Sequence, residues 1–237
     1  MPRTRFVLIG SSHPGNVGAA ARAIKVMGFS DLVLVAPRFA DVLKRDETVA
    51  MASGATNVLD HTRVVATLTE ALDGVSYACA TAMTPRDFGP PTFAPRALFE
   101  TLAPSLHDVA FVFGSERHGL SNDDVYRCHA TLSIPTDPDY GSLNLAQAVQ
   151  LIAYDWRQAL GGFAVEARTP SARLADGVAV QGLLDHWQRA LVGIGFLNPA
   201  APKKLMPRLH ALVNRAQLTQ EELHILRGIA KAIEEKR

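Results

Sequence analysis

FVLIGSSHPGNVGAAARAIKVM, residues 6–27, carries the strongest fold signal in the chain. The apolar run Phe6 to Ile9 predicts a buried strand, and the alanine-rich end of the stretch predicts a helix. Between them lie Gly10, Gly15 and Gly18, which let a ligand approach the backbone where a helix start exposes N–H groups to an anion. Because the glycine spacing matches neither GxGxxG nor GxxxxGK(S/T), this turn disfavours ordinary nicotinamide dinucleotide and P-loop sites.

The same alternation of strands and helices continues to residue 159. It predicts an α/β fold with a mostly parallel sheet and helices on both faces. The predicted strands are residues 5–10, 31–36, 75–81, 108–114 and 130–134. The best predicted helices are residues 16–27, 94–103 and 142–159.

A patch rich in Gly, Thr, Pro and Ser then interrupts the periodicity, as linkers do. Further helices are predicted after it, and Thr219 with Glu222 has the spacing of a capping box at the start of the last one. These helices are residues 177–194, 203–216 and 220–236. We therefore predict a domain at residues 1–160, a linker at 161–176 and a small all-helical extension at 177–237.

The composition is that of an ordinary globular protein, with 48% hydrophobic and 20% charged residues. Cys79 and Cys128 lack the spacing of a zinc site, so we expect a reducing compartment and no metal. The apolar runs are too short for a signal peptide or a membrane span, which predicts a cytoplasmic protein without membrane attachment. Residues 1–150 hold 12 basic and 15 acidic residues, whereas the remainder holds 12 and 8, which favours contact of the tail with a polyanion.

Two later segments repeat the pattern of a strand that turns into polar residues. FVFGSERHGLSNDDV, residues 111–125, places Gly114 and Glu116 after a strand, where open α/β sheets bind ligands. IPTDPDYGSLNLAQAVQLIAYDW, residues 134–156, places Ser142 and Asn144 at the start of the strongest predicted helix. The alternatives are a solvated carboxylate for Glu116 and simple helix N-caps for Ser121 and Ser142.

Arg22 is the cation of interest in the first segment. Positive charge near a helix N-terminus is mildly unfavourable, so an arginine close to the turn indicates an anionic partner such as an RNA phosphate. The alternative is a solvated surface arginine, and a solvated surface residue is also how we interpret Lys25. His13 either faces substrate or has a structural role in the tight turn.

Together, the three segments resemble the SPOUT class of methyltransferases, and specifically the TrmJ-type tRNA ribose 2'-O-methyltransferases. HPGNVGAAARAIKVMGF (residues 13–29) and the two later segments carry the likeness, which covers roughly residues 5–158. The resemblance implies a deep trefoil knot at the carboxyl end of the catalytic domain and S-adenosyl-L-methionine as cofactor. It also implies a homodimer in which the partner's first helix and turn complete each active site.

The resemblance further implies roles for individual residues. The cofactor would lie bent among three loops and be contacted mainly by backbone groups, which tolerate side-chain variation. These cofactor-binding loops are Thr81, Ala82 and Met83; Gly114, Ser115 and Glu116; and Ile134, Gly141, Ser142 and Leu143. Arg22 matches the family's catalytic arginine, with Asn16, Ser142 and Asn144 positioning the target ribose or its phosphate.

The substrate that the resemblance implies is the ribose 2'-hydroxyl of nucleotide 32 in the tRNA anticodon loop, in cytidine, uridine or both. Arg22 would act as a general base or as a phosphate anchor, and the anchor is easier to defend because arginine keeps its proton. Basic residues of the tail would bind the tRNA backbone, or else form a solvated helical face. They are Arg189, Lys203, Lys204, Arg208 and Arg215.

Three other functions remain open at this point. The protein could be a ribosomal RNA 2'-O-methyltransferase, a catalytically silent RNA-binding protein of the same fold, or a nicotinamide-dependent oxidoreductase. The glycine spacing of the first turn argues against the oxidoreductase.

Overall fold

The computed structural model describes residues 3–83, 86–166 and 172–235. The chain forms two compact units, residues 1–164 and residues 165–237. Residues 167–171 of the predicted linker and residue 236 of the last predicted helix lie outside the described residues.

A parallel sheet forms the centre of the first unit. Within the described residues its strands are β1 (Thr4–Ile9), β2 (Asp31–Val35), β3 (Arg63–Val65), β4 (Tyr77–Thr81), β5 (Thr92–Phe93), β6 (Val109–Phe113) and β7 (Ala130–Leu132). Their order is β3-β2-β1-β6-β4-β7-β5, and every neighbouring pair is parallel. The predicted parallel sheet is confirmed, although the short β3 and β5 were not predicted.

Helices cover both faces of this sheet. Phe6 and Leu8 of β1 lie in one hydrophobic core together with the helices at residues 14–26, 95–102 and 145–159. Val7 of β1 lies in a second core together with the helices at residues 68–71 and 122–126. Because successive strand residues point to opposite faces, these two cores flank the sheet as predicted. The helices are α1 (Pro14–Val26), α2 (Asp46–Ala52), α3 (Thr56–Asp60), α4 (Leu68–Ala71), α5 (Pro95–Leu102), α6 (Asn122–Tyr126) and α7 (Leu145–Ala159).

Of the helix starts that differ from the prediction, those of α1 and α7 bear on the site. Helix α1 begins at Pro14, since proline fixes a helical φ and needs no hydrogen-bond partner at the first position. Arg22 therefore lies more than two turns into the helix, and the placement of this arginine close to the helix start is wrong. Helix α7 begins at Leu145 rather than residue 142, because Asn144 caps it and forms a capping box with Gln147.

The second unit contains the helices α8 (Gly177–Gly193), α9 (Leu205–Ala216) and α10 (Gln220–Glu235). The predicted capping box at the start of α10 is present. The Thr219 N–H donates to the Glu222 carboxylate at 2.8 Å, and the Glu222 N–H donates to the Thr219 hydroxyl at 3.2 Å. The Trp187 indole of α8 donates to the Leu226 carbonyl of α10 at 3.1 Å. Among the described residues, no helix is both long and apolar enough to cross a membrane.

Candidate functional site

The three sequence segments meet at one edge of the sheet. Strands β1, β6, β4 and β7 are consecutive neighbours, so the loops that follow them lie side by side at their carboxyl ends. Parallel sheets bind ligands at such an edge, because the loops converge there and the backbone is accessible. Segments more than 100 residues apart thereby come into hydrogen-bond contact.

A cavity of about 290 Å³ opens between these loops. This volume lies close to the lower end of the range of small-molecule sites, roughly 300–1,000 Å³. Every residue predicted to bind the cofactor lines the cavity: Thr81, Ala82, Met83, Gly114, Ser115, Glu116, Ile134, Gly141, Ser142 and Leu143. The structure therefore brings these residues together, while their contacts with a cofactor stay a prediction.

The turn after β6 is folded tightly back on itself. Ser115 and Gly119 exchange backbone hydrogen bonds of 3.2 and 2.9 Å, and Gly119 has a φ of 67°. A Cβ on Gly114 would collide with the backbone of Gly119 and Leu120. The sequence GSERHG therefore needs glycine at its first position, and the turn presents Glu116 toward the loop that follows β1.

Glu116 is the centre of a hydrogen-bond cluster. Its carboxylate accepts from the Ser12 N–H at 2.9 Å, the Ser12 hydroxyl at 2.8 Å, the His13 N–H at 3.3 Å and the Asn16 amide at 2.8 Å. Partial burial by itself raises the pKa of Glu116, but the hydrogen bonds from Asn16 and Ser12 outweigh burial and hold the pKa below its ordinary value. Glu116 is thus a partnered carboxylate, and the solvated alternative is wrong.

Asn16 extends this cluster to the third segment. Its side-chain oxygen accepts from the Asn144 amide at 2.9 Å while its own amide donates to Glu116. The Asn144 oxygen accepts from the N–H groups of Ala146 and Gln147, which caps α7. Glu116, Asn16 and Asn144 therefore form a continuous chain of hydrogen bonds that fixes the orientation of both asparagine side chains.

The predicted catalytic residues divide between two places. Ser142 lines the cavity, whereas Asn16, Arg22 and Asn144 line a shallow depression beside it together with Gln150. Arg22 is exposed and makes no hydrogen bond or ion pair with the described part of the chain. Its guanidinium is therefore available to an external anion.

The other residues with alternative interpretations are placed as follows. Ser121 is an N-cap, since its hydroxyl accepts from the Asp124 N–H at 3.1 Å, whereas Ser142 does not cap α7. Lys25 is the expected surface residue, donating to the Gly54 carbonyl at 2.7 Å and the Asn57 side chain at 2.6 Å. The His13 side chain is exposed and makes no capping hydrogen bond, although its backbone precedes α1.

Sequence reasoning missed several residues of the site. Ser12 supplies two of the four hydrogen bonds to Glu116, and Gln147 completes the cap of Asn144. The spacing N-x-x-Q could have revealed Gln147, because it is that of a capping box. Arg86 also lines the cavity, and no sequence pattern marks it. Within the described residues, no group of three His, Cys, Asp or Glu side chains is arranged to hold a metal ion.

Glu116→Gln should destabilise the first unit by about 1–3 kcal/mol, because the amide keeps only one acceptor oxygen and sets an NH₂ group against N–H donors. Since the pKa of Glu116 is lowered, its contribution to stability is present above the ordinary pKa of 4.5 and is lost as pH falls through the lower folded value. Denaturant unfolding of both proteins at neutral and acidic pH measures this difference.

The matched control is Glu100→Gln, which changes an exposed carboxylate of α5. It should alter the free energy of unfolding by less than about 0.5 kcal/mol. If wild type and Glu116→Gln differ in free energy of unfolding by the same amount at acidic and neutral pH, Glu116 does not accept these hydrogen bonds as a charged carboxylate.

Two protein families match the chain. The SpoU rRNA Methylase family matches residues 3–154, and the C-terminal domain of tRNA methyltransferase TrmJ matches residues 178–237. The first match contains all three segments of the site except the last two residues of the third, and the second contains α8, α9 and α10 except for the first residue of α8.

Individual relatives agree with these families. The chain is 42% identical to the tRNA (cytidine/uridine/adenosine-2'-O-)-methyltransferase TrmJ of Pseudomonas aeruginosa, over 97% of this chain and 93% of that protein. It is 39% identical to the tRNA (cytidine/uridine-2'-O-)-methyltransferase TrmJ of Klebsiella pneumoniae, over 98% and 96%. The crystal structure of TrmJ from Z. mobilis ZM4 has a TM-score of 0.83 and 29% identity, over 99% of each chain. The chain belongs to the SpoU family of methylases and, within it, to the TrmJ-type methyltransferases.

Proposed function

We propose that the protein methylates a ribose 2'-hydroxyl of tRNA with S-adenosyl-L-methionine as methyl donor, at nucleotide 32 of the anticodon loop in cytidine, uridine or both. The observation that carries the proposal is the pairing of two neighbouring sites. A cavity lined by all the expected cofactor residues lies beside a depression that holds Arg22, which has no hydrogen-bond or ion-pair partner in the described part of the chain. The names of the relatives support tRNA as the substrate.

The cavity suits an adenosine-containing ligand. Its apolar residues Leu132, Leu145 and Ala148 offer a surface for a flat base, while the turns at 81–83 and 141–143 offer backbone donors and acceptors. Gly141 lies against the side chains of Met83 and Thr136, whose ends would be 2.5 and 2.9 Å from a Cβ at this position. When bound, S-adenosyl-L-methionine supplies an electrophilic methyl group on its sulfonium.

The residues of the depression would place the attacking ribose. Arg22 would bind a phosphate of the target nucleotide and offset the negative charge that develops on the 2'-oxygen as its proton passes to solvent water and its bond to the methyl group replaces the sulfur–methyl bond. The anchor role uses the guanidinium as a cation and a hydrogen-bond donor, which is its ordinary chemistry. Asn16 and Asn144, held by their mutual hydrogen bond, would orient the ribose, and Ser142 would contact it from the cavity side.

The assembly of the enzyme is also a proposal. We infer a homodimer in which the partner's first helix and turn complete each site, an inference that family membership supports. Family membership supports a deep trefoil knot at the carboxyl end of the catalytic domain. The proposed domains are residues 1–160 and 177–237 with a linker at 161–176, in a cytoplasmic protein that needs no metal.

The class of RNA is tested by offering methyl-labelled S-adenosyl-L-methionine with unmodified tRNA transcripts or with ribosomal RNA transcripts. Label on tRNA alone supports the proposal, and label on ribosomal RNA alone would replace it with the ribosomal alternative. Binding of cofactor without label on either RNA would favour a catalytically silent RNA-binding protein. The tRNA set should carry cytidine, uridine or adenosine at nucleotide 32, since one relative is named for all three.

The basic residues of the second unit would bind the tRNA backbone. Arg208 and Arg215 of α9 lie seven positions apart, about two helical turns, and so share a face that is exposed. Changing both to Gln should weaken tRNA binding. It should also reduce the slope of log Kd against log salt concentration by about one for each phosphate that is no longer neutralised. Filter binding over a salt series measures this slope.

Arg3→Gln is the matched control, because Arg3 is exposed just before β1, at the opposite end of the strands from the site. It should leave the slope unchanged. An unchanged slope in the α9 double variant would show that these arginines form only a solvated face.

A further inference from the structure

Arg86 is a charged residue of the cavity to which the sequence analysis assigns no role. It follows β4 and lines the cavity, where the only other charged lining residue in the described part of the chain is Glu116. Its backbone carbonyl accepts from the Gly89 N–H at 3.0 Å, and the neighbouring Asp87 carbonyl accepts from the Tyr126 hydroxyl at 2.9 Å. The loop that carries Arg86 is therefore tied to itself and to α6.

One nitrogen of the Arg86 guanidinium is buried and has no hydrogen-bond partner among the described residues. This nitrogen is Nε, and Arg86 forms no ion pair with the described residues. Buried donors are almost always satisfied, and a guanidinium is a permanent cation with five N–H groups. Glu116 does not serve it, because that carboxylate already accepts from Ser12, His13 and Asn16.

We propose that Arg86 binds the carboxylate of the methionine moiety of S-adenosyl-L-methionine, an inference that rests on the proposed function. A carboxylate matches the fork of N–H groups on a guanidinium and can accept two parallel hydrogen bonds. Arg86 lines the cavity expected to hold the cofactor, whereas Arg22 lies in the separate depression. Arg86 thus binds the carboxylate of the cofactor, and Arg22 binds a phosphate of the RNA.

The test compares two ligands that differ by the one group in question. Isothermal titration calorimetry measures the Kd of S-adenosyl-L-methionine and of its decarboxylated form, which keeps the adenosine, the sulfonium and the ammonium. Arg86→Gln should weaken the first by about 10- to 100-fold, the range of a hydrogen bond to a charged group. It should change the Kd of the decarboxylated ligand by less than about twofold, which also shows that the cavity is still folded.

Two further variants sharpen the comparison. Arg86→Lys keeps the positive charge but loses the forked pair of N–H groups. It should therefore retain part of the difference in Kd between S-adenosyl-L-methionine and its decarboxylated form. Arg117→Gln removes an exposed arginine of the neighbouring turn that does not line the cavity, and it should bind both ligands as wild type does.

Four results would overturn the assignment of Arg86. Equal weakening of both ligands would indicate a structural role, and no weakening of either would show that the carboxylate is bound elsewhere. Reduced tRNA affinity with unchanged cofactor affinity would indicate an RNA phosphate. Failure of wild-type protein to bind either ligand would contradict the proposed function itself, and with it the assignment of Arg86.

Discussion

Arg22→Ala should reduce methyl transfer at least about 100-fold while leaving the Kd of S-adenosyl-L-methionine nearly unchanged. The separation of effects follows from geometry, because Arg22 lines the depression beside the cavity and is not among the residues that line the cavity itself. Its side chain is exposed and makes no hydrogen bond or ion pair with described residues, so its removal leaves no buried group unsatisfied. Single-turnover kinetics and calorimetry measure the two quantities independently.

The matched control for this prediction is Lys25→Gln, on the same helix. Lys25 contacts Gly54 and Asn57 at the surface, so its removal should change neither turnover nor cofactor affinity by more than about twofold. Arg22→Lys should recover part of the activity if the residue anchors a phosphate by its charge. An equal reduction of turnover and cofactor binding in Arg22→Ala would contradict the role assigned to it.

Gly114→Ala should abolish cofactor binding and destabilise the first unit by about 3 kcal/mol or more. The added Cβ would collide with backbone atoms of Gly119 and Leu120, and backbone cannot rotate aside as a flexible side chain can. Relief of the clash requires opening the paired turn, which would move Ser115 and Glu116 away from the cavity. Thermal unfolding and calorimetry with S-adenosyl-L-methionine measure the two effects.

Gly228→Ala is the matched control for the glycine change. Gly228 lies inside α10, and a Cβ there would meet nothing within 4 Å. Alanine is the better helix former, so this variant should be neutral or more stable by up to about 1 kcal/mol, with cofactor affinity unchanged. A Gly114→Ala protein that binds cofactor normally would show that the turn tolerates opening.

Local sequence patterns predicted the regular elements near the site and missed the short ones. The apolar runs of β1, β2, β4, β6 and β7 are long enough to be recognised, whereas β5 has only two residues, Thr92 and Phe93, and carries no periodicity. The start of α7 was misplaced because Ser142 and Asn144 are both common N-caps. The Gln147 side chain, which completes the box with Asn144, distinguishes them.

The candidate site was predictable only through the resemblance to a family. Glu116 and Ser12 become neighbours because β6 lies next to β1, and no local pattern encodes that strand order. The separation of Arg22 and Ser142 between a depression and a cavity is likewise a tertiary property. Arg86 could not be recognised at all, since its distinguishing feature is a buried Nε without a hydrogen-bond partner among the described residues of the folded protein.

Methylation of the ribose of nucleotide 32 is tested with two tRNA transcripts that are identical except that one carries a 2'-deoxyribose at nucleotide 32. Each is incubated with wild-type protein and methyl-labelled S-adenosyl-L-methionine, and the label is located by nuclease digestion and mass spectrometry. We expect label on the ribose of nucleotide 32 in the all-ribose transcript and no label in the transcript with 2'-deoxyribose at that nucleotide. Equal labelling of both transcripts, or label on a base, would contradict this expectation.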